Sequence, residues 1–372
     1  MKLITLLMCF ITLQCNCENF TDLCYNTKEI KNIDNLMKIY KTAISGTAKN
    51  IQKYGYPVEV HEVGTDDGYV LDMQRIPHGP ANERSYDALP VLILHGLGSS
   101  SAPYVILSNG IAYTLVNEGY DVWLGNFRCS FEDTRHVNYS HWQNKFWNFG
   151  LDEYGLSDTP AMIDHILQTT NRTQLTVISL SMSTLTTTAL LAFKPEYNTK
   201  VSRHVLLAPA VRLNYATANI QYNLLKKVYD IVGLTDIILA IVNRLSFYLA
   251  PVVCYSPFGF MHLCQWGIML TTGYTPGIYG SCIGAILSSV LRGVSLRTLL
   301  HYYQIITTQQ LIQFDYGLDE NLKKYGTEIP PIADVSKITT PTSLIYSAND
   351  PLATPLNVAL LARDMKTAKR IQ

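Results

Sequence analysis

The stretch Val177-Ile178-Ser179-Leu180-Ser181-Met182-Ser183 constrains this chain more than any other. It reads as the end of a buried strand running into a turn, with Ser181 at the apex. A serine held on a sharp strand-to-helix turn presents its hydroxyl at the top of a sheet. The residues two before and two after it have to be small, because the backbones nearly touch there. The usual pattern is G-x-S-x-G, and here Ser179 and Ser183 stand at the glycine positions. Both are small, yet each carries a Cβ into the crowded turn. A serine-rich turn with no catalytic role is the competing reading of such a segment in isolation, so its neighbours decide.

Two other segments fall into place around it. Val91 to Leu97 is a short apolar run ending in His95-Gly96, the form of a central parallel strand followed by a loop whose N–H groups bind an oxyanion. Thr342 to Ser347 is another such strand, and Asn349-Asp350-Pro351 follows it directly. Alone, Asp350 reads as a turn residue before proline. Placed at a strand's carboxyl end and later than the serine, it fits the order Ser, Asp, His of the α/β-hydrolases. The expected fold is therefore α/β, an α/β-hydrolase with a mostly parallel sheet and helices on both faces. After the strand His204 to Ala208 the core pattern is interrupted, roughly from Val211 to Thr308. Helical apolar repeats run through Leu224, Leu225, Val228, Ile231 and Val232, then Ile237, Ile238, Ile241, Val242 and Leu245. Asp230, Asp236 and Arg244 break the run as a membrane span, which leaves a buried or interfacial helical cap. Plain core packing is the alternative for most of these residues.

Longer segments carry a family resemblance. Gly55-Tyr56-Pro57 with Glu59 and His61, then Thr65-Asp66-Asp67-Gly68-Tyr69 with Leu71, and Arg75-Ile76-Pro77, resemble the opening of the acid lipase family, which includes lysosomal acid lipase and gastric lipase. The likeness continues through His95-Gly96-Leu97, Ser99-Ser100-Ser101, Gly119 to Asn126, Phe146-Trp147-Asn148-Phe149, Asp152-Glu153 and Asp158 to Asp164. It spans roughly residues 50 to 360. Carried over position by position, the resemblance implies Ser181 as nucleophile and Asp350 as charge-relay acid. It makes the backbone N–H groups of Leu97 and Met182 the oxyanion hole, and the Val211–Thr308 insertion a cap and lid over the nucleophile. It also implies hydrolysis of carboxylic esters of neutral lipids, triacylglycerols or sterol esters, at a lipid–water interface. A disulfide between Cys254 and Cys264 is implied in the inserted region. The segments expected are a signal peptide at 1–17, hydrolase core at 18–210, cap at 211–308 and the second, incomplete part of the core at 309–372.

The chain departs from the family at several points. The elbow has Leu180 and Met182 where the family has His and Gln, and Cys129 replaces the glycine after Arg128. The family's base is a histidine some tens of residues beyond the acid, but the nine histidines here are at 61, 78, 95, 136, 141, 165, 204, 262 and 301. A serine hydroxyl needs an adjacent base near neutrality, and loss of a triad member leaves only a residual ~10³-fold to 10⁴-fold acceleration over water. The chain as written is thus expected to be nearly inert. Ala368 to Gln372 reads as the start of a strand, which favours a truncated carboxyl end over natural inactivity. The rival class is a secreted, non-catalytic lipid binder using the same pocket.

Length, composition and cysteines set the remaining bounds. With 372 residues, 48% hydrophobic and 16% charged, the chain is too apolar for disorder and long enough for one α/β core with an insertion. Its zero net charge and lack of a basic stripe argue against a nucleic-acid partner. Lys2 followed by the apolar run Leu3 to Leu13 reads as a signal peptide cut near Glu18; at 11 residues it is too short to be the rival, a membrane anchor. Sequons at Asn19, Asn138 and Asn171 fit passage through the secretory route to an extracellular or lysosomal destination. Beyond that cut Cys24, Cys129, Cys254, Cys264 and Cys282 remain, an odd number. No C-x-x-C or His-x-x-x-His spacing supports a zinc site, and neither a metal nor an organic cofactor is expected.

Overall fold

The strands of this chain are short apolar runs without strict alternation, the pattern of a sheet buried on both faces. The computed structural model describes residues 41, 45–80, 87–128, 134–216, 236–254, 264 and 292–372. Within them lie β1 (Glu59–Gly64), β2 (Tyr69–Ile76), β3 (Pro90–Leu94), β4 (Asp121–Gly125), β5 (Thr134–His136), β6 (Leu175–Leu180), β7 (Val201–Leu207), β8 (Thr342–Ile345) and β9 (Ala368–Ile371). The helices with a bearing on the site are α1 (Thr47–Lys53), α2 (Ile111–Asn117), α3 (Thr159–Thr170), α4 (Met182–Phe193), α5 (Asp236–Val253), α6 (Leu296–Thr308), α7 (Leu318–Tyr325) and α8 (Pro355–Asp364). The strands form one sheet in the order β1-β2-β4-β3-β6-β7-β8-β9, with β5 added against β2. Pairing is antiparallel from β1 to β4 and parallel from β4 to β9. The expected mostly parallel sheet is thus present. Three residues of β5 pair with β2, so the strand Val201–Leu207 is the seventh in chain order.

Side chains alternate across this sheet into two apolar layers. Leu92, Leu94 and Trp123 point to one face, where Met162 and Ile166 of α3, Leu185 and Leu190 of α4, and Val358 and Leu361 of α8 cover them. Val91, Ile93, Val122 and Leu124 point to the other, under Ile51 of α1 and Ile111, Leu115 and Val116 of α2. Each such buried aliphatic side chain contributes ~1.5–3 kcal/mol. Helices on both faces follow from this double burial. Register then lines up the carboxyl ends: Leu94 lies opposite Gly125 and Ser179, Leu180 opposite Leu207, and Leu207 opposite Ile345. The segments after β3, β4, β6, β7 and β8 therefore leave the sheet along one edge, where open α/β sheets bind ligands.

One charged cluster sits inside this apolar frame. Arg128, just past β4, is fully buried, and its Nε donates to Asp158 Oδ1 at 2.7 Å. Its other nitrogens reach Asp67, which also accepts from Thr65 and Ser157. The guanidinium carbon stacks 4.0 Å from the Tyr69 ring centre. Burial outweighs the lowering pull of Arg128 and leaves the Asp158 carboxyl raised to about 6. The cluster ties the end of β4, the β1–β2 turn and the start of α3 together. Its members were visible in the sequence only as parts of matched motifs, because charged residues in apolar surroundings give no pairing signal of their own.

Residues 208–341 lie between β7 and β8. Leu224, Leu225, Val228, Asp230, Ile231 and Val232 lie outside the described residues, as do residues 1–17, Asn19, Cys24, Cys129 and Cys282. Helix α5 is described, and it corrects the core-packing alternative for part of its run: Ile238, Ile241, Val242 and Leu245 are exposed. Among the described residues no helix is long and apolar enough to cross a membrane. Asp236 at the start of α5 accepts from the Leu296 N–H at 2.8 Å, joining α5 to α6. Cys254 and Cys264 are joined in a disulfide with Cα atoms 5.9 Å apart. Removing Asp158 leaves the fully buried Arg128 guanidinium with only the partly exposed Asp67 to balance it. Asp158→Ala is accordingly expected to lower stability by about 3–5 kcal/mol in urea unfolding, far beyond the near-neutral effect expected for the exposed pair Lys323–Glu320.

Candidate active site

Ser181 occupies the sharp turn between β6 and α4. Its φ is 53° and ψ −112°, in the left-handed region that a non-glycine residue adopts only at a cost of order 1–3 kcal/mol. The surroundings hold it there. Its N–H donates to Leu207 O of β7 at 2.9 Å, and its carbonyl accepts from the Thr184 N–H at 2.9 Å. Thr184 Oγ1 in turn accepts from the Ala210 N–H at 2.9 Å. The loop after β3 closes in from the side. A Cβ added to Gly96 would lie 3.3 Å from Ser181 Cβ, closer than nine in ten real contacts of that kind. Only glycine lets the loop and the serine approach this closely without displacement.

The serines at the usual glycine positions are fully buried and their hydroxyls are bonded. Ser179 Oγ lies 3.0 Å from Thr187 Oγ1, which lies 2.7 Å from His204 Nε2. Ser183 Oγ accepts from the Leu180 N–H at 2.7 Å and lies 2.9 Å from Leu94 O and 3.0 Å from Leu180 O, either of which can take its proton. The turn thus accepts two extra side chains by giving each hydroxyl a partner. The sequence pattern alone does not predict these bonds, because Thr184 and Thr187 read as ordinary residues of a helix.

The other expected residues sit along the same sheet edge. Leu97 follows β3 and is partly buried against the core. Met182 is the first residue of α4, where an α-helix leaves its N–H groups without intrahelical partners and its dipole favours negative charge. Asp350 follows β8, is half-buried, and receives the N–H groups of Leu352 and Ala353 on Oδ1, each at 2.8 Å. It is therefore a turn residue and a sheet-edge carboxylate at once. Arg292 donates its N–H to Gly98 O at 2.7 Å, and so fastens the segment before α6 to the loop carrying Leu97. Asn138 and Asn171 are both exposed; Asn171 ends α3 in the left-handed conformation.

His61, His95, His165, His204 and His301 have partners of their own. His95 is fully buried; its Nε2 accepts from the Phe127 N–H at 3.1 Å, so Nδ1 carries the proton and donates to Gly96 O at 2.8 Å. Burial holds its pKa down to about 4, opposed by the bond to Gly96 and reinforced by Arg292. His204 is held to about 3 by burial. His61 and His165 lie 3.1 Å apart across β1 and α3, with Glu59 on the far side of His61. His301 reaches Ile312 O.

Comparison with known proteins settles the family. Residues 47–108 match the model of a partial alpha/beta-hydrolase lipase region, and residues 90–235 match that of the alpha/beta hydrolase fold. Lipase 1 of Drosophila melanogaster is 31% identical over 320 residues, covering 85% of this chain and 70% of that protein. The chain belongs to the acid lipase family of the α/β-hydrolases. Other members similar to this acid lipase relative are the gastric triacylglycerol lipase of Mus musculus, 31% identical over 84% of the chain and 80% of its own length, and human lipase member K, 30% identical over 83% and 78%. A bacterial membrane phospholipase A shares the fold, with a TM-score of 0.50 and 14% identity over all of this chain and 90% of its own.

A buried neutral histidine makes the stability of this lipase-family chain depend on pH. The folded pKa of His204 lies below the ordinary 6.5, so as pH falls below 6.5 the unfolded chain takes up a proton that the folded one refuses. The resulting penalty is absent above that pH and grows to about 2 kcal/mol by pH 5. His204→Gln is expected to lose less stability than the parent between pH 7.5 and pH 5, by about that amount, in paired thermal or urea unfolding; parallel profiles would refute it.

Proposed function

We propose that this chain is built to hydrolyse carboxylic esters of neutral lipids, triacylglycerols or sterol esters, through an acyl-enzyme on Ser181. The observation that carries the reading is the left-handed turn of Ser181, pressed against Gly96 at the carboxyl edge of a hydrolase sheet. The Ser181 hydroxyl attacks the ester carbonyl; in the family's scheme its proton goes to a histidine base oriented by the acid at the Asp350 position, a base that residues 1–372 do not supply. The backbone N–H groups of Leu97 and Met182 receive the developing oxyanion. The names of the relatives, gastric triacylglycerol lipase among them, support an ester of that class. In this reading residues 211–308 are the cap over the acyl chain, and the exposed apolar side of α5 supports contact with lipid. No histidine follows Asp350 up to Gln372, so the base is supplied in solution for the test.

The experiment compares the parent chain with Ser181→Ala on a short p-nitrophenyl ester, with and without added imidazole. The expected result is near-background turnover alone, and a Ser181-dependent rate that appears with imidazole. A parallel titration with a fluorescent long-chain ester analogue is expected to show saturable binding that weakens as the acyl chain shortens, since buried apolar area contributes ~25 cal/mol per Å² before association costs. Binding without any Ser181-dependent rate would favour the non-catalytic lipid binder. Neither rate nor chain-length preference would overturn both readings.

The secretory assignment belongs to the same proposal. Exposure of Asn138 and Asn171 supports glycan attachment there. Mass spectrometry of protein made in a secretory host is expected to show a mature terminus near Glu18 and glycan on Asn138 or Asn171. An intact Met1 and bare asparagines would contradict it.

A further inference from the structure

The two oxyanion-hole donors come from separate segments: Leu97 from the loop after β3, Met182 from the start of α4. Their spacing relative to Ser181 has to be held within ~0.5 Å for productive geometry. Two features of this chain bridge those segments. One is the contact of Gly96 with Ser181, which is close but carries no direction. The other is Ser183, whose single buried oxygen meets both sides. It accepts from the Leu180 N–H, immediately before the nucleophile, at 2.7 Å, and its proton goes either to Leu94 O, the last carbonyl of β3, at 2.9 Å, which makes the bridge, or to Leu180 O at 3.0 Å within the turn. Leu94 O also accepts from Tyr104 OH at 2.9 Å, which fixes that carbonyl from the far side. Three residues further on is Leu97.

We propose that Ser183 is a positioning residue, whose hydroxyl links the nucleophile turn to the end of β3 and thereby sets the distance between Ser181 and the Leu97 N–H. The usual glycine at this place leaves room but supplies no such link. Ser179, the other serine at a glycine position, meets Thr187 Oγ1 instead of the neighbouring strand. Its oxygen points down into the Thr187–His204 pair beneath the turn. The two substitutions are therefore unequal: Ser183 acts on the reaction, Ser179 on the packing. The inference rests on the reading of Ser181 as nucleophile.

The test is the rate at which a fluorophosphonate labels Ser181 in the full chain, with imidazole present throughout as base. In labelling, the Ser181 oxygen bonds phosphorus, fluoride leaves, and imidazole takes the proton. Saturation with probe separates the maximal labelling rate from the half-saturating probe concentration, and thermal unfolding is followed alongside. Ser183→Ala and Ser183→Gly are each expected to lower the maximal rate by about 10-fold or more, because misplacement of ~1 Å costs up to ~10²-fold. The half-saturating concentration is expected to stay unchanged. Ser179→Ala is expected to leave the maximal rate within about twofold. Labelling of the parent with no fall in either Ser183 variant would overturn the positioning role and leave the nucleophile reading standing. Loss of rate, probe affinity and thermal stability together in both Ser183 variants would reduce the residue to a structural one and also overturn it. A parent chain that does not label at Ser181 would overturn the nucleophile reading and this inference with it.

Discussion

The hydrogen bond from the Ser181 N–H to Leu207 O is the constraint on which the site depends. A left-handed serine is strained, and strain of that kind persists only where the surroundings over-determine the backbone. Here β7 fixes the amide, Thr184 fixes the carbonyl, and Gly96 blocks the side. Each of those groups is placed by the sheet register, which brings Leu94, Leu180, Leu207 and Ile345 into line. The register in turn follows from double burial of β3, β4 and β6, since a slip of one residue would exchange the two apolar layers. A chain of cause thus runs from Val, Ile and Leu runs in the sequence to the torsion angle of one serine.

Much of that chain was legible beforehand. Strands β3, β6 and β8 were readable because continuous apolar runs bounded by turn residues leave few alternatives, and their bounds shifted by only a few residues. Helix α8 has Pro355 in its first turn and Thr354 as its cap, accepting from the Asn357 N–H at 3.2 Å. Strand β5 was not expected: three residues with one buried side chain carry no periodicity to detect. The Arg128–Asp158–Asp67 cluster was equally silent, because a long-range ion pair depends on a fold that local sequence does not spell out.

The substitutions at the elbow show a different limit. Ser179 and Ser183 first read as a weakened motif, since a Cβ in a crowded turn costs space. Around them, Thr187 and the carbonyl of Leu94 give each added hydroxyl a partner, so the cost of an unsatisfied buried polar group, ~1–3 kcal/mol, is avoided. Small-residue motifs are in this sense judged by their neighbours. The same holds for Asp350, which serves as a turn residue for Leu352 and Ala353 through one oxygen while lying at the sheet edge that carries Ser181.

Exposed apolar residues on α5 stand apart from this rigid frame, joined to it through Asp236, Leu296 and the Arg292–Gly98 bond. The sheet edge beneath is what defines the chemistry, and its geometry can be read directly. The decisive measurement is a crystal structure of the chain with an alkyl boronic acid. The account predicts a bond from boron to Ser181 Oγ and one boronate oxygen about 2.7–3.1 Å from the N–H groups of both Leu97 and Met182. A boronic acid bound away from Ser181, or a Ser181 adduct whose oxygens meet neither amide, would contradict it.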